Sequence, residues 1–252
     1  LHPYYEGAGG IVIYHGDCRE LLDELDVGTV AHECLTNPGG LDAILKVIPK
    51  DALNAQGHRK GSQWKEWSEA HADYIQMKAS EIEPIRRMIA SVHRTVPKWL
   101  FENVLHYEHT IIWRDESGLM LRARPDMIVS RGEHVILPDF KTTRTTTART
   151  FAADVVKYGY HRQGAWYWDA AVALGMSPCA SLIIPVDKTP AHETRIYELS
   201  REAVELGRTQ NRNALHELAW RLETNTWTAP HHGEILTLDL PEWAYREDSW
   251  EV

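Results

Sequence analysis

Between residues 107 and 141 the apolar positions of this chain recur every second residue, while the flanking stretches keep helical spacing. Thr110-Ile111-Ile112-Trp113, Leu119 to Val129 and His134 to Lys141 read as three strands. Asp115-Glu116-Ser117-Gly118 and Ser130-Arg131-Gly132-Glu133 supply the turns, so the region predicts an antiparallel meander. Upstream, residues 28–36 predict a helix stopped by Asn37-Pro38-Gly39-Gly40, and residues 63–78 a second one carrying Trp64, Trp67, His71, Tyr74 and Ile75 on one face. Ser80-Glu81-Ile82-Glu83 reads as a capping box that opens a helix running to about Val92. Downstream come helical residues 148–175 with a break near Gly159, strands at Ser181 to Val186 and Thr194 to Leu199, and a long helix over 201–223. Ala203, Leu206, Leu215, Leu218 and Leu222 form the apolar stripe of that last helix. Helices, a meander, a helix, two strands and a helix fit an α/β fold with a central mixed β-sheet flanked by helices. At 252 residues the chain is ample for a buried core, and no apolar run approaches the ~18–20 residues of a membrane span.

The strands carry the chemistry. Asp126 lies in the second run, and Asp139-Phe140-Lys141 closes the third. Alternate strand residues share a face, so Asp139 and Lys141 point the same way and Asp126 approaches from the neighbouring strand. Two converging carboxylates bind a hard divalent cation, and a lysine beside them orients or activates water. That is the chemistry of metal-dependent phosphodiester hydrolysis. The plainer reading is an exposed strand salt bridge between Asp139 and Lys141. His32 on the first helix and Glu108, read as opening the first meander strand, are further candidates, with a satisfied core histidine and a strand-edge charge as the plain alternatives. Gln163 and Tyr167 sit four apart on one helix face, and Thr142 and Thr143 follow the lysine. Trp64 and Trp67 read as core or a subunit interface, and His231-His232 is a weak metal signal.

A net charge of −9 speaks against a protein basic over its whole surface. Basic residues nonetheless cluster at His58-Arg59-Lys60, Arg86-Arg87, Arg122 and Arg124, Arg144 and Arg149, Lys157, and His161-Arg162, which leaves room for one basic channel. Cys18, Cys34 and Cys179 are scattered and odd in number, which argues against a disulfide framework and a four-cysteine cluster and for a reducing compartment such as the cytoplasm.

Taken in order, Gly28 to His32, Glu108, Arg124-Pro125-Asp126, Asp139-Phe140-Lys141-Thr142-Thr143 and Tyr160-His161-Arg162-Gln163-Gly164-Ala165-Trp166-Tyr167 resemble the PD-(D/E)XK nucleases. Within them the pattern is similar to the RecE-type exonucleases, the C-terminal nuclease domain of exodeoxyribonuclease VIII and its phage relatives. The resemblance implies a PD-(D/E)XK nuclease fold and a Mg²⁺-dependent 5′-to-3′ exonuclease on linear double-stranded DNA that leaves 3′ tails for recombination, with Mn²⁺ able to substitute. It implies His32, Asp126, Asp139 and the Phe140 backbone carbonyl as metal ligands, and Lys141, Asp126, Asp139 and Glu108 as the catalytic set. It implies Gln163, Tyr167, Thr142, Thr143, Tyr160, His161 and Arg162 as substrate contacts. A homotetrameric ring and a RecT-like single-strand annealing partner are implied in the same way. The competing readings are a PD-(D/E)XK endonuclease and a catalytically silent DNA-binding or assembly module.

Residues 1–26 depart from this pattern. Pro3-Tyr4-Tyr5-Glu6 through Ile13-Tyr14-His15-Gly16-Asp17-Cys18 resembles the start of a DNA adenine or cytosine-N4 methyltransferase, but no Asp-Pro-Pro-Tyr-type motif follows. The expected organisation is therefore a methyltransferase-like extension over 1–26 and a RecE-like nuclease domain over 27–252.

Overall fold

The computed structural model describes residues 3–6, 12–14, 27–37, 39–227 and 233–241. Most of the methyltransferase-like segment and His231-His232 lie outside the described residues. Pro3–Glu6 (β1) and Val12–Tyr14 (β2) pair antiparallel. Helix α1 (Val27–Leu35) ends where the Asn-Pro-Gly-Gly stretch requires, and a short α2 (Gly40–Ile44) follows. β3 (Leu45–Val47) then pairs parallel with β4 (Ile75–Met77). Between them, α3 (Ser62–Ala70) buries no residue. Its Trp64 and Trp67 are half-buried and stack 6.0 Å apart outside the core, so of the two readings, core or subunit interface, the core one does not hold. The helix expected over 63–78 stops early because Ile75 and Met77 are needed in the core under α1.

Helix α4 (Ala79–Thr95) is capped at Lys78, two residues before the Ser80 of its apparent capping box. The backbone N–H of Lys78 donates to Glu81 Oε2 at 2.7 Å, so Glu81 is the residue that reaches back. A short α5 (Lys98–Glu102) leads into β5 (Val104–Tyr107), which the sequence reading missed.

The meander divides in two. β6 (Ile111–Arg114) and β7 (Met120–Ala123) form their own hairpin sheet, while β8 (Met127–Arg131) and β9 (His134–Thr143) enter the central sheet. Pro125 separates the two halves of what looked like one strand, since it can donate no ladder hydrogen bond. Helices α6 (Ala148–Tyr158) and α7 (Tyr160–Ala173) flank the expected break, where Gly159 adopts a left-handed φ of 71°. β10 (Pro178–Asp187) runs parallel to β9, β11 (Tyr197–Glu198) pairs with β10, and α8 (Arg201–Thr224) closes the described helices.

The central sheet has the order β11-β10-β9-β8-β5 and is mixed. Its two faces separate by strand alternation. Met127, Val129, Ile136 and Phe140 pack into the cluster under α1 and α4, whereas Ile128, Val135 and Leu137 pack toward α7. Helix α8 lies on α7 through Val204 and Gly207 rather than through the predicted leucine stripe, and Leu206, Leu218 and Leu222 are exposed. A Cβ at Gly207 would stand 2.4 Å from the His161 carbonyl oxygen, so only glycine permits this approach.

Candidate active site

The site sits where β8 and β9 part. Their antiparallel register runs from Arg131↔His134 to Val129↔Ile136 and stops, while β9 continues beside β10 to Thr143. Alternate amides along β9 face β8, and the next one after Ile136 belongs to Pro138, which has no N–H to give. The one after that, Phe140, donates to a side chain instead: its N–H lies 2.8 Å from Asp126 Oδ2. A carboxylate thus occupies the gap where a strand carbonyl would sit. Residues of an antiparallel ladder turn their amide and carbonyl to the same neighbour, so the Phe140 carbonyl faces the same gap.

Three elements bring ligand atoms to this gap. His32 from α1, Glu108 after β5 and Asp126 before β8 place one ligand atom each within 4.8 Å of one another. The His32 imidazole Nε2–H donates to Asp126 Oδ2 at 2.9 Å. Glu108 does not open β6; it follows β5 with a φ of 46°, a left-handed conformation that is uncommon for glutamate. Its amide donates to the Asp126 carbonyl at 3.0 Å, and Arg124 Nε holds its carboxylate at 2.8 Å. Strain of this kind persists where surrounding contacts over-determine it, as here.

Asp139 and Lys141 share the α7 face of β9 as alternation requires, and Lys141 Nζ pairs with Asp139 Oδ2. Asp139 is buried, and its other oxygen, Oδ1, has no hydrogen-bond partner. Burial and the neighbouring Asp126 charge push the Asp139 carboxyl up to about 7, against the opposing pull of Lys141 and His32. Burial alone would lower His32 and Lys141. The Asp126 contact outweighs it for His32, and Asp139 and Asp126 outweigh it for Lys141, so both basic groups are raised. Glu108 is raised by burial and by Asp126, with Arg124, His32 and Thr36 pulling back. Three carboxylates crowd together here, and although Lys141, Arg124 and His32 each pair with one of them, Asp139 Oδ1 is left without a partner. A hard divalent cation supplies that partner, and oxygen donors with one imidazole suit Mg²⁺ or Mn²⁺. The residues present therefore fit a divalent metal.

The other predicted residues divide. Lys141, Thr142 and Tyr160 line a cleft of about 340 Å³ together with Gly28 and His32. Lys141 Nζ lies 5.1 Å from the Tyr160 ring centroid. Gln163 Nε2 donates to the Tyr167 hydroxyl at 2.7 Å. Burial, then the charges of Asp139 and Asp126, raise the Tyr167 phenol, which places it in the field of the carboxylates. Thr143 is turned into the following loop, its hydroxyl donating to the Thr145 carbonyl at 3.1 Å.

His161 is a correction. It is buried between α7 and α8, with Nε2 2.8 Å from Gln210 Oε1 and Nδ1 3.3 Å from the Val155 carbonyl, and is far better placed to pack helices than to meet a substrate. Arg162 is exposed, and its guanidinium folds back over Gly159. The sequence reading gave no role to Arg124, the partner of Glu108; its place in the Arg-Pro-Asp stretch was the available signal.

Comparison with solved structures places the fold among known ones. A crystal structure of a proposed exonuclease from Eubacterium rectale superposes with a TM-score of 0.51 at 12% identity, over 90% of this chain and 82% of that one. A structure of the protein SSO0001 gives 0.30 at 14% identity over 77% and 85%. No curated protein is detectably similar. Across residues 23–236 the sequence matches the model of DUF3799, described as a PDDEXK-like domain of unknown function, and the chain belongs to that family.

Proposed function

We propose that the protein is a metal-dependent nuclease that hydrolyses DNA phosphodiester bonds from the ends of linear duplex, 5′ to 3′. One observation carries the hydrolytic part: His32, Glu108 and Asp126 converge within 4.8 Å beside a buried Asp139 whose Oδ1 lacks a partner. The polarity, a ring of four subunits and a RecT-like annealing partner rest on the RecE-type resemblance of the motifs. When bound, Mg²⁺ supplies a Lewis acid for the phosphoryl group and acidifies a water.

The chain's own groups do the rest. His32, Asp126 and Asp139 would hold the cation, with the Phe140 carbonyl and Glu108 facing the same gap. Lys141, kept as an ammonium by its carboxylate neighbours, orients the attacking water and offsets charge that develops on the phosphoryl oxygens. A raised ammonium favours this role over that of a general base. The Tyr167 hydroxyl accepts from Gln163, which leaves its own proton for a phosphate oxygen of the substrate.

Incubation of linear and circular duplex with Mg²⁺ tests the reading. Linear DNA is expected to shorten from its 5′ ends while covalently closed circles persist. Nicked circles would indicate an endonuclease, and binding without cleavage a silent module. Gln163→Ala is expected to raise KM for DNA about tenfold, the cost of roughly one good hydrogen bond, with a smaller change in kcat. Steady-state kinetics in which neither constant moves would return Gln163 to a purely structural role.

A further inference from the structure

Just outside the cleft, at the α6–α7 joint, the chain turns through Gly159 and sets Tyr158 and Tyr160 side by side. Their rings stack 5.7 Å apart at 28°. Inward, Lys141 Nζ lies 5.1 Å from the Tyr160 ring; outward, Lys157 Nζ lies 5.1 Å from the Tyr158 ring. The result is a row of ammonium, ring, ring and ammonium that begins at the catalytic lysine and ends in solvent. Tyr160 is anchored, since it also meets Phe151 at 6.3 Å, which in turn stacks on Tyr197. Tyr158 is not anchored in the core: it is 56% exposed at the last turn of α6. A large ring held at the mouth of a polar site, half in water, contributes little to the core. Its position makes sense as a contact surface.

We infer that Tyr158 is the stacking seat for a nucleobase of the substrate strand, adjacent to the phosphate that Lys141 addresses. The inference rests on the nuclease reading and goes beyond it by naming the residue that holds the neighbouring nucleotide. A nucleic-acid strand alternates anionic phosphates with flat bases, and the row alternates cations with flat rings. Stacking on an aromatic side chain accepts any base, because every base has a π face. The seat therefore aligns the strand without imposing sequence preference. Lys157, a flexible side chain at the outer end, swings off the outer face of the Tyr158 ring when the base stacks there, and is then placed to meet the next phosphate.

The test uses the full chain and linear duplex carrying 2-aminopurine or an abasic site at successive positions from the 5′ end. With Lys141→Ala present to slow cutting below the time of the measurement, 2-aminopurine fluorescence should be quenched at one position near the end. Tyr158→Ala should abolish that quench and Tyr158→Trp should retain it. In the Lys141 background, DNA bound with no position quenched, or a quench indifferent to Tyr158→Ala, overturns the inference and leaves the nuclease reading intact. In otherwise wild-type protein, Tyr158→Ala should raise KM about five- to hundredfold with kcat nearly unchanged, and Tyr158→Phe should restore KM. An abasic site at the quenched position should raise KM of the wild type to the Tyr158→Ala value and leave Tyr158→Ala unaffected. That arm decides the matter even if Tyr158→Ala folds poorly; a wild type indifferent to the abasic site overturns the inference. Wild-type protein that neither binds nor cuts DNA removes the nuclease reading, and the inference with it.

Discussion

Replacement of Lys141 by alanine is expected to lower the rate of DNA hydrolysis by about 10²–10³-fold, the usual loss when one preorganised donor to developing charge is removed. Affinity for DNA should change less than the rate, because the role assigned to Lys141 is to meet charge that develops in the transition state rather than charge already present in the bound substrate. The substitution also strips the buried Asp139 of its ion-pair partner. That carboxyl, already raised to about 7, should then hold its proton to still higher pH. Single-turnover rates and binding isotherms measured on the same preparation check both halves. Hydrolysis at the wild-type rate by Lys141→Ala would take the lysine out of the reaction and restore the view of Asp139–Lys141 as a structural salt bridge.

Asp126→Asn should silence the protein by another route, through loss of the metal. Asp126 Oδ2 takes both the His32 imidazole and the Phe140 amide. Asparagine retains an acceptor for those donors, so the fold should persist, whereas alanine would leave the Phe140 N–H buried and unpaired at about 1–3 kcal/mol. In the wild type, Mn²⁺ or Mg²⁺ at a hundredfold excess over Kd should stabilise the protein by about 2.7 kcal/mol, or a Tm rise of about 5–10 °C. In Asp126→Asn that rise should vanish, and hydrolysis with it.

The same titration should depend on pH. A carboxyl whose folded pKa is raised from the ordinary value of about 4 favours the fold below that value and loses the contribution as pH climbs to about 7. The metal-free protein should therefore lose stability across that window. The cation, which must displace the Asp139 proton and take His32 neutral, should bind more tightly at pH 8 than at pH 6. Calorimetry at the two pH values decides: equal metal affinity would mean that Asp139 enters the site already ionised, and an undiminished Tm rise in Asp126→Asn would move the metal elsewhere.

Much of this site was legible because strands and helices have short, rigid periods. Asp139 and Lys141 are two apart on a strand, and the structure puts them in contact. Gln163 and Tyr167 are four apart on a helix, and they too touch. The break at Gly159 followed from the one residue type that accepts a left-handed turn cheaply. The misreadings arose where partners distant along the chain decide. His161 carries the same polarity as its neighbours, and only the docking of α8 through Gly207 shows that it is buried. The leucines of α8 suggested one packing stripe, yet Val204 and Gly207, not the leucines, are its buried residues. Ile75 and Met77 continued a helical pattern but were claimed by the core beneath α1. Pro125 was a local signal passed over: a proline inside an apparent strand argues for two strands, and two were found.

The amino-acid sequence by itself determined the pieces of chemistry set by neighbours on one element: the aspartate–lysine pair, the glutamine–tyrosine pair and the order of helices and strands around them. Covalent geometry dictates these, and it acts over a few residues. Only the tertiary structure decided that the α1 imidazole and the carboxylate after β5 meet Asp126, since 94 positions separate His32 from Asp126. That meeting depends on where β8 and β9 diverge. The divergence comes from the missing amide hydrogen of Pro138, and its effect appears only once the two strands lie side by side.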